Sequence, residues 1–202
     1  MLPKRSIKIA FIGACCSGKT ALVEQYTRRH LYNPDIYCVE EAARAYYRTH
    51  TAPVRSSKIV QQQIQRLAIR NEKKAQASTS RLILCDSAPI DTVVYSRVNG
   101  NVKASEDLFD SLSYWLPTYD KFLLLNPFEI PFVNDEIRRE TEEDRARIHQ
   151  IFIDLFVEKN IPYEFLTGTV DERVKKVDSI LESLTTQLIT SDHQLPILSI
   201  SS

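Results

Sequence analysis

One stretch restricts the folds open to this chain more than any other. The apolar run Ile7-Lys8-Ile9-Ala10-Phe11-Ile12 leads directly into Gly13-Ala14-Cys15-Cys16-Ser17-Gly18-Lys19-Thr20, which has the form G-x-x-x-x-G-K-[ST]. A buried strand that turns through two glycines into a helix is the opening unit of an α/β fold that cradles phosphate. The glycines let the backbone curl so that its N–H groups converge, and the following helix adds the positive end of its dipole. Such a loop is expected to bind a nucleoside triphosphate through Gly13, Ala14, Cys15, Cys16, Ser17, Gly18, Lys19, Thr20 and Ala21. Lys19 should then reach the β- and γ-phosphates, and Thr20 should hold Mg²⁺. Two of the chain's four glycines stand at the two required positions, which makes a chance match a poor explanation. Cys15 and Cys16 occupy variable positions and read as packing residues, since adjacent cysteines do not easily close an unstrained disulfide.

Downstream of this loop, short apolar runs alternate with longer amphipathic segments, the pattern of repeated β-α units around a parallel sheet. Five strands are predicted: residues 7–12, 36–40, 81–86, 121–125 and 161–166. Helices are predicted over residues 18–31, 57–77, 88–98 and 105–116, then from residue 141 and from residue 169 to about 184. Val60, Ile64, Leu67 and Ala68 share one face of the second of these helices. Thr169-Val170-Asp171-Glu172 has the form of a capping box. The expected architecture is a phosphate-loop NTPase fold, nucleoside- or nucleotide-kinase-like, with helices on both faces of a five-stranded parallel sheet and a lid after strand four. Residues 1–184 form the expected domain, and residues 185–202 a tail.

Composition narrows the partners. Lys and Arg together number 26 and so do Asp and Glu, so no overall charge draws the chain to a polyanion, and a small ligand is favoured over nucleic acid. The four cysteines lack metal-ligand spacing, which fits a reduced, cytoplasmic setting. No apolar stretch is long enough to suggest a membrane span. The four histidines are scattered and do not read as metal ligands.

Ligands of an open parallel sheet collect beyond the carboxyl ends of its strands. Acids stand there: Glu40 and Glu41 after the second strand, Asp86 after the third, and Asp135 in the loop after the fourth. A phosphoryl transferase uses carboxylates to hold Mg²⁺ and to take the proton of an attacking hydroxyl. Asp86 suits the metal best and Glu40 or Glu41 the base; a helix cap and a solvated acidic pair are the plainer alternatives. Arg44 sits three residues after Glu41, where it could hold an acceptor or pair with the acid. Arg138, Arg139, Arg145 and Arg147 cluster in and after the loop following strand four, as lid arginines would. Arg145 lies nearer the apolar stripe of its helix and is the one expected to face inward. Interleaved acids leave a salt-bridged solvent face as the alternative. Gly168 and Thr169, after strand five, occupy the place where many phosphate-loop kinases hold the nucleotide base, by analogy of fold.

Together the phosphate loop, Val39-Glu40-Glu41-Ala42-Ala43-Arg44, Leu84-Cys85-Asp86-Ser87 and Asp135-Glu136-Ile137-Arg138 resemble the AAA-domain-like group that contains the nicotinamide riboside kinase domain of bacterial NAD-biosynthesis regulators. The resemblance spans residues 6–180 and does not extend to the adenylyltransferase and DNA-binding parts of those regulators. It implies that Glu41 and Arg44 face the acceptor, that Asp86 serves magnesium or acts as the base, and that Arg138 and Arg145 belong to the lid. No residue of the sequence singles out a nicotinamide ring. The leading expectation is a kinase moving the γ-phosphoryl of Mg-ATP to a small, nucleoside-like hydroxyl acceptor. The first alternative is an ATPase switch acting on a protein partner, whose contact surface would include the apolar tail residues 195–200. A polynucleotide end kinase is a third reading, and the neutral net charge opposes it. The N-K-x-D guanine motif of Ras-like GTPases is absent from the sequence.

Overall fold

A computed structural model of the chain describes residues 5–30, 33–51, 55, 57–78, 80–98, 100–132 and 140–192. Five strands form one parallel sheet: β1 (Ile7–Ile12), β2 (Ile36–Val39), β3 (Leu82–Asp86), β4 (Lys121–Leu125) and β5 (Glu164–Leu166). Their order is β2-β3-β1-β4-β5, so the phosphate loop leaves the middle strand. Seven helices are described: α1 (Lys19–Arg29), α2 (Ala42–Thr49), α3 (Lys58–Gln76), α4 (Asp91–Val98), α5 (Val102–Asp110), α6 (Glu142–Glu158) and α7 (Val170–Asp192).

Strand β1 is buried along its whole length, because a central parallel strand is covered on both faces. Its alternate side chains separate into two cores. Ile7, Ile9 and Phe11 pack with Leu22, Val23 and Tyr26 of α1 and with Val174 and Val177 of α7. Ala10 and Ile12 point the other way, among Val93 and Val94 of α4, Leu108 of α5, and Ile148, Phe152 and Phe156 of α6. This is the two-faced α/β architecture that the sequence predicts, with the strand order of a kinase-like topology.

Lys8 is the exception in the apolar run. Its ammonium is 1% exposed and lies 2.5 Å from Oε2 of Glu72 on α3. The Trp115 indole N–H and the Tyr119 hydroxyl donate to the same carboxylate, and Lys8 also donates to the Thr118 hydroxyl at 2.9 Å. A charge inside the sheet is tolerated because every nearby polar group is satisfied.

Several elements depart from expectation: β5 covers Glu164–Leu166 rather than 161–166, α4 begins at Asp91 rather than 88, and α5 ends at Asp110 rather than 116. Helix α2 is not predicted from the sequence; it packs Ala42 and Tyr46 against Ile64 and Ala68 of α3. Helix α5 begins at Val102 rather than 105, where the Asn101 side chain accepts from the Ala104 N–H as a cap. Helix α7 continues to Asp192, beyond the expected stop near 184, with Leu184 and Leu188 packed on the α1 side of the sheet. At α6 the Thr141 side chain accepts from the Asp144 N–H, and Asp144 accepts from the Thr141 N–H in return, so the expected N-terminal signal is a complete capping box. Asp135 and Arg138, most of the expected lid and the apolar tail 195–200 lie outside the described residues.

Candidate functional site

The turn between β1 and α1 carries three residues in the left-handed region: Gly13 (φ 140°), Cys16 (φ 53°) and Gly18 (φ 86°). Gly18 is the residue before the helix and makes no side-chain cap, so the first N–H groups of α1 are left to the concave side of the turn. Lys19 is buried and donates from Nζ to the carbonyls of Gly13 at 2.8 Å and Ala14 at 2.9 Å. The Ser17 hydroxyl is buried and has no hydrogen-bond partner among the described residues. Positive-φ glycines, a buried lysine across the turn and an unsatisfied buried hydroxyl are the features an anion-binding turn requires.

The strand register brings the acids of two neighbouring strands to the same end. Asp86 pairs across from Phe11 at the end of β3, and Ser87 donates its N–H to the Phe11 carbonyl at 3.0 Å. The Thr20 hydroxyl donates to Oδ2 of Asp86 at 2.7 Å. A hydroxyl and a carboxylate in contact at the mouth of a phosphate turn suit Mg²⁺, which is held by one or two protein oxygens with the phosphates and water completing its shell. Among the described residues no group of three His, Cys, Asp or Glu could hold a metal by itself.

Beside the turn is a cavity whose lining includes Lys19, Glu40, Glu41, Arg44, Asp86, Ser87, Asp91, Tyr95 and Glu140. Its walls come from β2, α2, α3 and α4, and Val39, Ala42, Ile64, Ala68 and Ala88 supply apolar surface. Glu40 is exposed, whereas the Glu41 side chain is 16% exposed and lies 3.6 Å from Nε of Arg44. The cavity therefore contains the Glu41 and Arg44 that the sequence singles out, and these two residues pair with one another.

Asp91, in the first turn of α4, is a member the sequence reading missed. One carboxylate oxygen accepts from the Ser87 hydroxyl at 2.6 Å; the other has no partner among the described residues, and the residue is 8% exposed. Burial pushes its carboxyl up to about 7, against the lowering influence of Lys19 and of the Ser87 hydroxyl, while Glu41 pushes it further up. Its sequence signal, an acid at the start of a helix, is the same as that of an ordinary N-terminal charge.

On the other flank, Arg145 of α6 is 2% exposed, as expected for the inward arginine, while Arg147 is exposed and pairs with Asp144. Arg145 donates to the Ile130 carbonyl at 3.0 Å, lies 3.5 Å from the Cys16 carbonyl and pairs with Glu142 at 3.1 Å. Gly168 and Thr169 form the turn entering α7. Thr169 donates its N–H and hydroxyl to Glu172, the predicted capping box, and Gly168 donates its N–H to Glu129 at 2.7 Å. Ala21 is exposed on the first turn of α1.

A model of the AAA domain family matches residues 8–173. Among solved structures, the chain is similar to the NadR protein in complex with NR, with a TM-score of 0.69 and 19% identity over 88% of this chain and 49% of that one. It is also similar to the NadR protein in complex with NAD and AMP-PNP, with a TM-score of 0.63 and 16% identity over 98% and 52% of the two chains. The chain thus spans about half the length of either NadR structure. A thymidylate kinase from Candida albicans aligns with a TM-score of 0.63 and 15% identity over 90% of this chain and 93% of that one. No curated protein matches by sequence. At these identities the structural likeness establishes the fold. Among the described residues no helix is long and apolar enough to cross a membrane.

Proposed function

Because the chain belongs to the AAA domain family and has a fold related to NadR-type nicotinamide riboside kinase regulators, we propose that it is a kinase moving the γ-phosphoryl of Mg-ATP to a hydroxyl of a small, nucleoside-like acceptor. One observation carries this reading: a single cavity runs from Lys19 and Asp86 at the phosphate turn to Glu41, Arg44 and Asp91 beneath α2 and α4. A pure ATPase has no need of a second, partly apolar chamber opening onto its phosphate site, whereas a phosphotransferase must hold an acceptor there.

In this reading residues 13–21 bind the triphosphate, and Lys19 exchanges the Gly13 and Ala14 carbonyls for phosphate oxygens. Thr20 and Asp86 would hold Mg²⁺, which would supply charge neutralisation at the phosphates. Glu41, less exposed than Glu40, is the base that takes the acceptor's hydroxyl proton as that oxygen attacks phosphorus and ADP departs. Arg44 orients Glu41, and Arg145, beside the Cys16 carbonyl, is placed to stabilise charge on the transferring group. Gly168 and Thr169 border the base. Glu72 is paired with Lys8 and burial raises the Asp91 carboxyl, which leaves Glu40, Glu41, Asp86 and Glu140 against Lys19, Arg44 and Arg55; a lining without a cation excess favours an acceptor without phosphates of its own. NR, the ligand of one NadR complex, is therefore among the first acceptors to try.

The test is ADP release from Mg-ATP with and without a panel of nucleosides, NR, nucleoside monophosphates and RNA or DNA ends, with Lys19→Ala as the blank. Release that depends on a nucleoside-like acceptor, with a phosphorylated product, supports the proposal. Slow release indifferent to every acceptor would sink it and leave an ATPase acting on a protein partner.

A further inference from the structure

Arg173 has no place in the sequence argument, yet its side chain is the largest fully buried one among the described residues, at 0% exposure. It stands in the first turn of α7, on the opposite flank of the phosphate turn from the cavity. Nη1 donates to the Ser17 carbonyl in that turn at 2.7 Å. Nη2 donates to the Asn126 carbonyl at the end of β4 at 2.9 Å and to Oε2 of Glu129 at 3.1 Å. The same Glu129 oxygen accepts the Gly168 N–H at 2.7 Å. One guanidinium and one carboxylate therefore link the segments that follow β1, β4 and β5.

The contacts are tight. A Cβ built on Gly18 would lie 3.3 Å from Nη1 of Arg173 and 2.3 Å from Cδ1 of Ile130, so arginine and phosphate turn are packed without slack. Burial raises the Glu129 carboxyl, but bonds from Gly168, Arg173 and Asn126 outweigh it and hold the group below its ordinary value. A buried ion pair is seldom the most stabilising way to fill a space, since an apolar side chain of similar volume does as well. What an apolar side chain cannot do is bond two backbone carbonyls and a carboxylate in one plane, which the forked guanidinium does.

We propose that Arg173, with Glu129, is a positioning residue that fixes the phosphate turn and the Gly168-Thr169 turn as one unit, so that triphosphate and base are bound in concert. The proposal rests on the nucleotide-binding reading of residues 13–21 and on the placement of the nucleotide base at Gly168 and Thr169. Its consequence is energetic coupling: with the pair intact, the base should strengthen binding of the triphosphate, and without it the two ends of the nucleotide should bind as separate weak contacts.

The experiment uses the full chain as wild type, Arg173→Lys, Arg173→Met, Glu129→Gln and Lys19→Ala. Calorimetry gives the affinity for ATP and for inorganic tripolyphosphate, and thermal unfolding is recorded alongside. The informative quantity is the ratio of the two affinities. We expect that ratio to fall at least 10-fold in Arg173→Met and Glu129→Gln, with Arg173→Lys intermediate. Glu129 is 32% exposed, so Glu129→Gln tests the coupling even if Arg173→Met fails to fold. An unchanged ratio, whether affinities hold or both fall together with the melting temperature, would overturn the proposal and leave Arg173 a packing residue. If wild type and Lys19→Ala alike bind neither ligand, the nucleotide reading itself falls and takes the proposal with it.

Discussion

Replacing Asp91 by Asn should make the protein more stable at alkaline pH and change little in acid. The folded-state carboxyl is raised from an ordinary 3.8 to about 7, chiefly by burial. Folding therefore favours the protonated form, and the unfolded chain binds fewer protons between these two values. Stability contributed at this site is highest below about pH 4 and falls as pH rises towards 7, after which the loss is complete. A shift of roughly three units corresponds to roughly 4 kcal/mol at 1.36 kcal/mol per unit, of which about 2.5 kcal/mol accrues between pH 5 and pH 8. For a chain of this size that is about 5–10 °C in melting temperature. Asn is nearly isosteric, can still accept from the Ser87 hydroxyl, and does not ionise, so its advantage over Asp should grow by that amount across the interval. The assay is thermal unfolding of both proteins, without ligand, in buffers from pH 5 to pH 8. Glu41→Gln supplies a control: it removes a neighbouring charge that raises Asp91, and should shift the midpoint of the pH dependence downwards. A difference between Asp91→Asn and wild type that stays constant over the range would refute the assignment of a raised pKa to this buried carboxyl.

Other expectations concern the buried network, the phosphate turn and the lid side. Glu72→Ala strands the Lys8 ammonium inside the sheet and should cost about 3–5 kcal/mol in urea unfolding, much of which Lys8→Met should restore in the same chain. Gly18→Ala forces a residue with a Cβ to φ 86° and against Ile130, and should cost about 1–3 kcal/mol by thermal unfolding, partly relieved by Ile130→Ala. Arg145→Ala should lower kcat by roughly 100-fold with a smaller change in the KM for ATP; a loss confined to KM would remove it from the transition state.

The sheet and the phosphate turn were legible because their signals are local. An apolar run of strand length, a glycine pair and a lysine each constrain the backbone or the chemistry within a few residues, and the structure has β1 and its turn as expected. Helix α2 escaped because it is only eight residues long and lacks a side-chain cap at Glu41, so its amphipathic pattern is too brief to mark a helix. Arg173 lies in Asp171-Glu172-Arg173-Val174-Lys175-Lys176, which reads as a polar helix start; its partner Ser17 is 156 residues away, so no periodicity reports the contact. Lys8 did leave a signal. A lone cation in a strand buried on both faces requires a buried partner, and that requirement could have directed attention to the acids of a covering helix.

Strand order explains why the site has two separable halves. With β1 in the middle, β3 and β2 lie on one side and β4 and β5 on the other, and the segment after β4 reaches the cavity through Glu140. Glu41, Arg44, Asp86 and Asp91 all come from the β2 and β3 side and line the cavity, whereas Glu129, Gly168 and Arg173 come from the β4 and β5 side and do not. Lys19 belongs to both, since it leaves the central turn and reaches the cavity wall. If acceptor and nucleotide divide along this line, substitutions at Arg44 or Asp91 should alter the KM for the acceptor and leave that for ATP nearly unchanged. Substitutions at Glu129 or Arg173 should do the reverse. Steady-state kinetics with both substrates varied would expose a breach of that division, such as an Asp91→Ala variant whose main defect is in ATP binding. That outcome would place the triphosphate, rather than the acceptor, in the chamber beneath α2 and α4.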